Sequence, residues 1–437
     1  MARVRTGRSG RARNVIFLVS DGMSFGTLQM ADRAMRLWAN QGSRWVELLA
    51  RPGVRRALQM THSANSLVTD SAAAGTAWGA GVHVRNGAVN FTPEGREPRP
   101  ILVEAKANGK ATGLVTSTRV THATPAAFVA NVPKRDMEDA IAEQTLERGV
   151  DLVLGGGAKH FPASLLERHD RYRVLRTRND LLAYERGGSR GPRPALGVFN
   201  NSHLRYEIDR RRMPSEAREP SLAELTRVAI AELDRAPDGF VMQIEGGRVD
   251  HAAHANDAAG LVLDQWAFDE ALAVADDFAR GRDDTLVIVT TDHGNANPGH
   301  TLYLDAGDRA FASMANATQS FEWIFEQLER RRDADRVGAI SELLEQAASV
   351  TLTPLERETL ARAFGQGEMT DAFRPASQPG PVLGSILANH FGVAFISPNH
   401  TADYVELTAY GPGSEPIIGL MDNIELHPVV RRALGLV

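Results

Sequence analysis

The sequence predicts an α/β protein, a three-layer sandwich with a central, mostly parallel sheet, helices on both faces and a helical insertion. Two segments, 14–22 and 285–294, contain short runs of β-branched residues that lead into Asp and Gly. A third segment, 239–247, has the same form and reaches Glu245 before two glycines. Such continuous apolar runs are typical of parallel strands buried on both faces. Helical patterns lie between them, and this alternation favours helices on both faces of one sheet.

The other elements follow in the same alternation. A helix begins at Ser221, because Ser221 and Glu224 have the spacing of a capping box that satisfies the first backbone N–H groups. His400 lies in the loop before the last predicted strand. The remaining predicted elements are weaker strands over 111–118 and 150–157, a helix over 260–280 and a last strand over 404–409.

Three regions depart from this pattern. Residues from about 168 to 213 are rich in Arg, Gly and Asn, which predicts a long surface excursion. From about 320 to 373 the chain is helical and highly charged, and Thr353-Pro354 with Glu356 marks a helix start inside it. We interpret 320–373 as a helical insertion within one domain that covers 1–437. The basic arm 1–13 is predicted to be disordered.

Composition limits the function. The 437 residues carry a net charge of −5, which gives no broad attraction for nucleic acid or an anionic membrane. No Cys is present, so a metal site must use His and carboxylate ligands. No apolar run approaches the roughly 20 residues of a membrane span. The apolar segment 15–19 is too short for a signal peptide, so we expect either a chain that is not exported or a mature form.

Carboxylates end or follow three of the predicted strands. They are Asp21, Glu245 and Asp292. Because ligands of open α/β sheets bind outside the carboxyl ends of the strands, we expect these side chains to converge. A single strand-end Asp is more often a helix cap. Three together leave unpaired negative charge unless a cation neutralises it.

Histidines supply the partner ligands. Asp250 and His254 are four residues apart in "VDHAAH", on one face of a helical turn, whereas His251 faces elsewhere. His293 directly follows Asp292 at a strand end. Carboxylate and imidazole without sulfur suit zinc, with an oxygen-rich neighbour for magnesium, so the pattern indicates more than one divalent metal. The histidines expected to be structural or exposed are His62, His160, His169, His203 and His427.

The stretch "VTDSAAAGTAWGAG" (68–81) has two interpretations. Its small residues suit a closely packed helix. Alternatively, Ser71 is an exposed nucleophile at a helix N-terminus, where free N–H groups favour an anion. The stretch alone does not decide between them.

Seven motifs together resemble the alkaline phosphatases, in the order seen in that family. The resemblance covers about 14–420, apart from the helical insertion. The motifs are "DGMSFG", "VTDSAAAGTAWGAG", "VTHATPAAFVANVPKR", "DLVLGGGAKHF", "QIEGGRVDHAAH", "VIVTTDHGN" and "NHTADYVELTAYGPG".

The resemblance implies a phosphomonoester hydrolase that releases inorganic phosphate and an alcohol through a phosphoserine intermediate on Ser71. Arg135 matches the arginine that binds phosphate. Two Zn²⁺ and one Mg²⁺ per chain, a periplasmic or secreted location and a homodimer are further implications. The implied ligands are Asp250, His254 and His400 for the first zinc, Asp21, Asp292 and His293 for the second, and Thr124 and Glu245 for magnesium.

The sequence also departs from the family. His122 and His251 stand where the best-known bacterial members have Asp and Lys, which puts the identity of the third ion in doubt; animal members also have His at both. Asn295 replaces a His near the second zinc. The insertion begins after His293 and ends before His400. We therefore expect it to lie beside the active-site mouth and to limit access by bulky substrates. The alternatives are a solvated decoration or a dimer contact.

Other functions of the same fold remain as alternatives. A sulfatase requires Cys or Ser followed by x-Pro-x-Arg, which "SAAAG" does not supply. A diesterase usually presents Thr and lacks a match to Arg135. A catalytically silent metal- or phosphate-binding protein has no need of Ser71.

Overall fold

A central sheet organises the protein, which a computed structural model describes over residues 11–187, 194–332, 335–365 and 374–436. In this part of the chain the strands are β1 (Asn14–Val19), β2 (Arg55–Gln59), β3 (Ala111–Arg119), β4 (Leu152–Gly156), β5 (Arg173–Leu175), β6 (Ala195–Val198), β7 (Phe240–Glu245), β8 (Thr285–Thr290), β9 (Gly294–Asn295), β10 (Gly299–His300), β11 (Val393–Ala394), β12 (His400–Thr401), β13 (Val405–Tyr410) and β14 (Gly419–Met421).

Helices connect most of these strands. Over the same described ranges they are α1 (Phe25–Ala39), α2 (Arg44–Ala50), α3 (Ser71–Ala80), α4 (Ile101–Ala107), α5 (Ala123–Ala127), α6 (Glu138–Glu147), α7 (Ala163–Arg168), α8 (Arg178–Arg186), α9 (Glu207–Arg210), α10 (Leu222–Leu233), α11 (Arg248–Ala255), α12 (Ala258–Ala279), α13 (Leu304–Ser313), α14 (Phe321–Arg331), α15 (Arg336–Ala348), α16 (Pro354–Ala363), α17 (Pro379–Phe391) and α18 (Leu426–Leu434). None of them is long and apolar enough to cross a bilayer.

Among the described residues, ten strands form the main sheet, in the order β14-β2-β13-β8-β1-β7-β3-β4-β6-β5. Strand β13 pairs antiparallel with both of its neighbours, and the other pairs are parallel. Side chains of β1 alternate between two apolar clusters: Val15 and Phe17 belong to one, Ile16 and Leu18 to the other. Helices therefore cover both faces, which confirms the predicted α/β sandwich.

The register of the central strands sets the position of the site. Val19 at the end of β1 pairs with Glu245 at the end of β7 and with Thr290 at the end of β8. Three neighbouring parallel strands thus end at one level. The residues that end or follow them are brought to the same edge of the sheet.

The prediction of a surface excursion over 168–213 is wrong. Within it, β5 and β6 extend the sheet to its far edge, and α8 and α9 are helical. The two strands are only three and four residues long. Their pairing is a tertiary contact. A run this short, surrounded by polar residues, has no periodic pattern from which a strand can be predicted. Residues 188–193 lie outside the described residues.

The region predicted as an insertion is helical where it is described, in α14, α15 and α16. Residues 333–334 and 366–373 lie outside the described residues. The start of α14 has one contact to α11 and one to the N-cap of α12: the buried Arg248 donates to Glu322 Oε2 at 2.7 Å, and Phe321 N donates to Asp257 Oδ2 at 2.8 Å. The segment thus contacts the helix that carries Asp250, whereas its position at the active-site mouth and its effect on access stay predictions.

The predicted disordered arm covers 1–13, of which residues 1–10 lie outside the described residues. Its last residues are ordered, contrary to the prediction. Ala12 is buried and its N–H donates to the Ala433 carbonyl at 2.7 Å. Arg13 donates to the Ala236 carbonyl at 2.7 Å. These contacts continue the β1 segment by two residues.

A buried carboxylate ties α12 to its surroundings. Asp276 accepts hydrogen bonds from Arg44 at 2.6 Å, from Arg51 at 2.6 and 2.7 Å, from Arg280 at 3.0 Å and from the Tyr410 hydroxyl at 2.7 Å. Burial by itself raises the pKa of Asp276. The hydrogen bonds from Arg51, Tyr410 and Arg44 outweigh this effect and hold the pKa below its ordinary value.

Replacing Asp276 by Asn is expected to lower the free energy of unfolding by roughly 2 kcal/mol at pH 7, because the variant loses the charged hydrogen bonds to three arginines that are themselves partly exposed. Because the folded pKa is lowered, the carboxylate stabilises the fold above about pH 4, and this contribution is lost as the pH falls further. Urea unfolding at several pH values measures both effects. The control is Asp277→Asn at a 63% exposed neighbour, for which we expect less than about 1 kcal/mol. Equal effects of the two changes would contradict this role.

Candidate metal centre and active site

Three carboxylates meet at the carboxyl edge of the sheet, as predicted. Asp21 follows β1, Glu245 ends β7 and Asp292 follows β8, and all three are fully buried. Both carboxylate oxygens of Asp21, Oε1 of Glu245 and Oδ2 of Asp292 have no hydrogen-bond partner. A buried carboxylate oxygen without a partner is costly. A cation fits this cluster because its charge would offset that cost.

The first ligand group contains Asp250, His254 and His400. His254 Nδ1 lies 2.6 Å from the Pro398 carbonyl, and His400 Nδ1 lies 2.9 Å from the Thr69 carbonyl. Carbonyls only accept, so each Nδ1 carries a proton, and Nε2 is the ring nitrogen that can offer a lone pair to a metal when the imidazole is neutral.

These two Nε2 atoms lie 2.9 Å apart, and each is somewhat farther from the carboxylate of Asp250. The distances to Asp250 are 3.4 Å from His254 and 3.5 Å from His400. Ligands at about 2.0 Å from a tetrahedral zinc are about 3.3 Å apart. Two lone pairs and a carboxylate at this spacing fit one zinc ion.

The second group contains Asp21, Asp292 and His293, all of which are fully buried. His293 Nε2 lies 3.1 Å from Asp292 Oδ2 and 3.7 Å from Asp21 Oδ1. The His293 ring stacks on the ring of His400 at 3.7 Å, so the first and second groups are adjacent. The structure therefore brings together the six residues that the resemblance assigns to two zinc ions.

A third group lies on the other side of Asp21, around Glu245. Thr118 donates to Glu245 Oε2 at 2.9 Å, which leaves Oε1 free. Thr124 Oγ1 is also buried without a partner. His122 Nδ1 lies 3.7 Å from Glu245 Oε1. Oxygen atoms dominate this group, and oxygen ligands suit magnesium.

The electrostatics of the cluster are uneven. Burial, together with the carboxylates of Asp292 and Asp250, raises the pKa of Asp21 well above its ordinary value. Burial also opposes ionisation of Asp250, but the positive charge of His254 and His400 outweighs it and lowers the pKa of Asp250. Asp21 is thus the carboxylate that most needs a cation in order to be ionised.

Ser71 begins α3 and lies beside the second group. Its Oγ is 3.4 Å from His293 Nε2. Asp70 caps the helix, accepting from Ala73 N at 3.0 Å. The prediction of an exposed Ser71 is wrong, since its side chain is 1% exposed because His293 lies against the hydroxyl.

The small residues after Ser71 have a packing role as well. A Cβ on Gly79 would lie 2.0 Å from the Ala127 carbonyl oxygen, and one on Gly75 would lie 2.8 Å from Ala127 Cβ. Helix α3 can therefore approach α5 only with glycine at these positions. The close-packing interpretation of the stretch 68–81 therefore holds, and the same packing positions Ser71 at the start of the helix, whereas its role as a nucleophile stays a prediction.

Arg135 points towards the same region. Its Nη1 donates to Asp70 Oδ2 at 3.0 Å and its Nη2 donates to His122 Nε2 at 3.0 Å. Burial alone lowers the pKa of Arg135, but Asp70, Asp21 and Asp250 outweigh this and raise it. The guanidinium is a fixed positive charge near the acidic cluster.

His122 and His251 lie around the third group. Because Nε2 of His122 accepts from Arg135, the proton of the neutral ring is on Nδ1, which suits a hydrogen bond to a metal-bound water rather than direct ligation. His251 Nδ1 lies 2.9 Å from Arg248 Nη1. Burial and the charge of Arg248 lower the pKa of His251, so this imidazole is neutral at pH 7.

His203 is a neighbour that sequence reasoning missed. Its ring centroid lies 4.4 Å from that of His251 and 5.7 Å from that of His122. Burial, with His251 and His122, lowers its pKa. His203 lies in the loop after β6, and no local pattern distinguishes this residue from the other isolated histidines.

The family model of the alkaline phosphatases matches residues 12–436, so the chain belongs to the alkaline phosphatase family, whose members are phosphomonoester hydrolases. The resemblance found in the sequence is thereby confirmed.

Relatives agree with this family. The chain is 29% identical to alkaline phosphatase 3 of Bacillus subtilis, over 98% of this chain and 90% of that protein. It is 35% identical to streptomycin-6-phosphate phosphatase of Streptomyces griseus, over 68% and 77%. The crystal structure of Thermus thermophilus alkaline phosphatase superposes with a TM-score of 0.88 at 33% identity, covering 100% of this chain and 96% of that chain.

The resemblance puts Asn295 near the second group, but the structure places it in contact with the first. Its Nδ2 donates to Asp250 Oδ1 at 2.7 Å, and the residue pairs with His400 across β9 and β12. Asn295 lies there because β9 pairs with β12, the strand that contains His400. Asn295 thus orients one ligand through its side chain and another through its backbone.

Replacing Asn295 by Ala is expected to weaken zinc binding at the first group by roughly 10- to 100-fold, the usual effect of losing a partner that orients a ligand. Zinc competition with a chromophoric chelator measures this change. The control is Asn389→Ala, at an exposed asparagine of α17. An unchanged affinity in the Asn295 variant would contradict the orienting role.

Proposed function

We propose that the protein hydrolyses phosphomonoesters through a covalent phosphoserine intermediate on Ser71, with two zinc ions and one magnesium ion per chain. One observation carries the proposal. The Ser71 hydroxyl lies 3.4 Å from His293, inside a cluster of buried carboxylates and imidazoles whose free oxygens and lone pairs require cations. A serine placed there has the environment of a nucleophile.

Each ligand group suits one ion. Imidazole and carboxylate in the first two groups suit zinc, and the oxygen-rich third group suits magnesium. The proposed ligands are Asp250, His254 and His400 for the first zinc, Asp21, Asp292 and His293 for the second, and Thr124 and Glu245 for magnesium, with Asp21 between the second and third ions.

The reaction takes place in two displacements. Ser71 Oγ loses its proton to solvent and forms a bond to phosphorus while the bond from phosphorus to the ester oxygen breaks, and the alcohol leaves with a proton from water. Water then attacks the phosphoserine, which releases inorganic phosphate and restores the hydroxyl. When bound, the zinc ions supply the charge that makes a serine hydroxyl, and later water, nucleophilic at moderate pH.

Arg135 has the positioning role in both displacements. Its planar guanidinium can donate two parallel hydrogen bonds to phosphoryl oxygens, which an ammonium group cannot do. Asp70 holds one of its nitrogens and His122 accepts from another, so the side chain is already oriented before substrate binds. The fork orients the phosphoryl group for attack by Ser71.

His122 and His251 add no negative charge around the third group. A neutral imidazole adds no charge to a bound ion, whereas Asp in the same place would hold magnesium more firmly. We therefore propose that magnesium binds weakly to this group. A periplasmic or secreted location and a homodimer stay predictions of the resemblance.

The two alternatives have less support. A diesterase of the same fold lacks a reason for Arg135 to be held beside Asp70 and His122. A silent binding protein has no use for the hydroxyl of Ser71 at the edge of the cluster. Turnover of p-nitrophenyl phosphate against bis-p-nitrophenyl phosphate separates these cases: we expect clear preference for the monoester.

Changing Ser71 to Ala is expected to abolish covalent phosphate and to lower kcat by roughly 10³-fold or more. Some residual rate is expected, because water can still be activated in the metal-loaded site. Acid quenching with ³²P-labelled substrate detects the phosphoenzyme, and Ser66→Ala removes a hydroxyl from the same segment as a control. Labelled protein at the wild-type level in the Ser71 variant would refute the assignment.

Changing Arg135 to Ala is expected to raise the inhibition constant of inorganic phosphate by about 10- to 100-fold, since hydrogen bonds between charged groups are lost. The effect on kcat should be smaller. Arg135→Lys keeps the charge but not the fork, so it should recover only part of the binding. Lys134→Ala, which removes an adjacent exposed charge, is the control. An inhibition constant unaffected by Arg135→Ala would contradict the role of Arg135 in binding phosphate.

A further inference from the structure

A second cluster of metal-ligating side chains lies away from the active centre. It contains His62, His83 and Asp422, whose potential ligand atoms all lie within 4.8 Å of one another. His62 follows β2, His83 follows α3 and Asp422 follows β14. Helix α3 separates this cluster from Ser71, because its ten residues span about 15 Å. The cluster is therefore not part of the site described above.

The spacing of the three side chains fits one ion. His83 Nε2 lies 3.1 Å from Asp422 Oδ1, and His62 Nε2 lies 3.8 Å from Asp422 Oδ2. The two imidazole rings meet edge to face with centroids 4.3 Å apart. Ligands of a tetrahedral zinc are about 3.3 Å apart, which lies between the two measured distances.

One nitrogen of each imidazole has no partner in the protein. The Nδ1 atoms of His62 and His83 are both buried and have no hydrogen-bond partner. The side chains themselves are partly exposed, 38% for His62 and 23% for His83, so an ion and its waters can reach the Nε2 atoms.

The backbone around the cluster is fixed by pairing. Met60 N donates to the Met421 carbonyl at 2.9 Å, which holds the His62 segment beside Asp422. Ala64 N donates to the Val84 carbonyl at 2.8 Å, which holds it beside His83. Asp422 also accepts from Ile424 N at 3.2 Å as a helix cap, and this contact orients its carboxylate. The three ligands are positioned before any ion binds.

We propose that His62, His83 and Asp422 bind one divalent cation of the zinc class, with water completing the coordination. Two imidazoles and one carboxylate prefer zinc, copper or nickel over calcium or magnesium. The ion would link the chain that enters the Ser71 helix to the chain that leaves it. Its role is to stabilise the segment 62–83, in which the nucleophile lies.

The test compares zinc content in metal-depleted protein that is reloaded with zinc and desalted. Wild type is expected to hold one more zinc per chain than His83→Ala or Asp422→Asn. The Asn variant keeps an oxygen that can cap the helix, so it removes the charge while preserving the fold. His169→Ala, at a histidine outside the clusters of the described residues, should bind as wild type does. Equal zinc content in all four proteins would overturn the proposal.

Anomalous diffraction at the zinc edge gives the location directly. The expected result is a peak between His62, His83 and Asp422 in wild type that is absent from Asp422→Asn. Peaks beside Asp250 and Asp292 with no peak at His62, His83 and Asp422 would overturn this inference and leave the proposed function unaffected. The converse pattern, a peak only at this cluster, supports the inference and counts against the proposed function.

Discussion

Buried negative charge at one edge of the sheet is the constraint on which the rest of the site depends. Asp21, Glu245 and Asp292 are fully buried, and Asp250 is nearly so, yet several of their oxygens have no partner in the protein. Such a cluster is unfavourable without cations, because burial and mutual repulsion act in the same direction. The imidazoles of His254, His293 and His400 are placed where cations would need further ligands.

Ordinary features of the fold produce this arrangement. Parallel register brings the ends of β1, β7 and β8 to one level, and α11 then brings Asp250 and His254 to the same place. Helix α3 begins at the same edge, and its glycines allow close contact with α5, which positions Ser71. Ser71 and the three ligand groups are therefore positioned by the register of the strands and the packing of the helices.

Sequence reasoning predicted the parts that have a local signal. The buried strands, the capping box at Ser221 and the spacing of Asp250 and His254 depend on neighbouring residues, and the structure confirms them. The strands β2, β5, β6 and β14 are short and were missed, because their pairing is tertiary. The same reason hid His203: its partners in space are far away in sequence. Asn295 was assigned to the wrong group because a strand turn cannot be inferred from residue order.

The measurement that most directly tests the role of the buried charge is thermal unfolding of the protein before and after chelation, with activity followed in parallel. The account predicts that EDTA lowers the melting temperature and abolishes turnover, since the carboxylates around Asp21 are left without compensation. Adding zinc and magnesium together should restore both. An unchanged melting temperature with retained phosphatase activity after complete removal of metal would contradict the account.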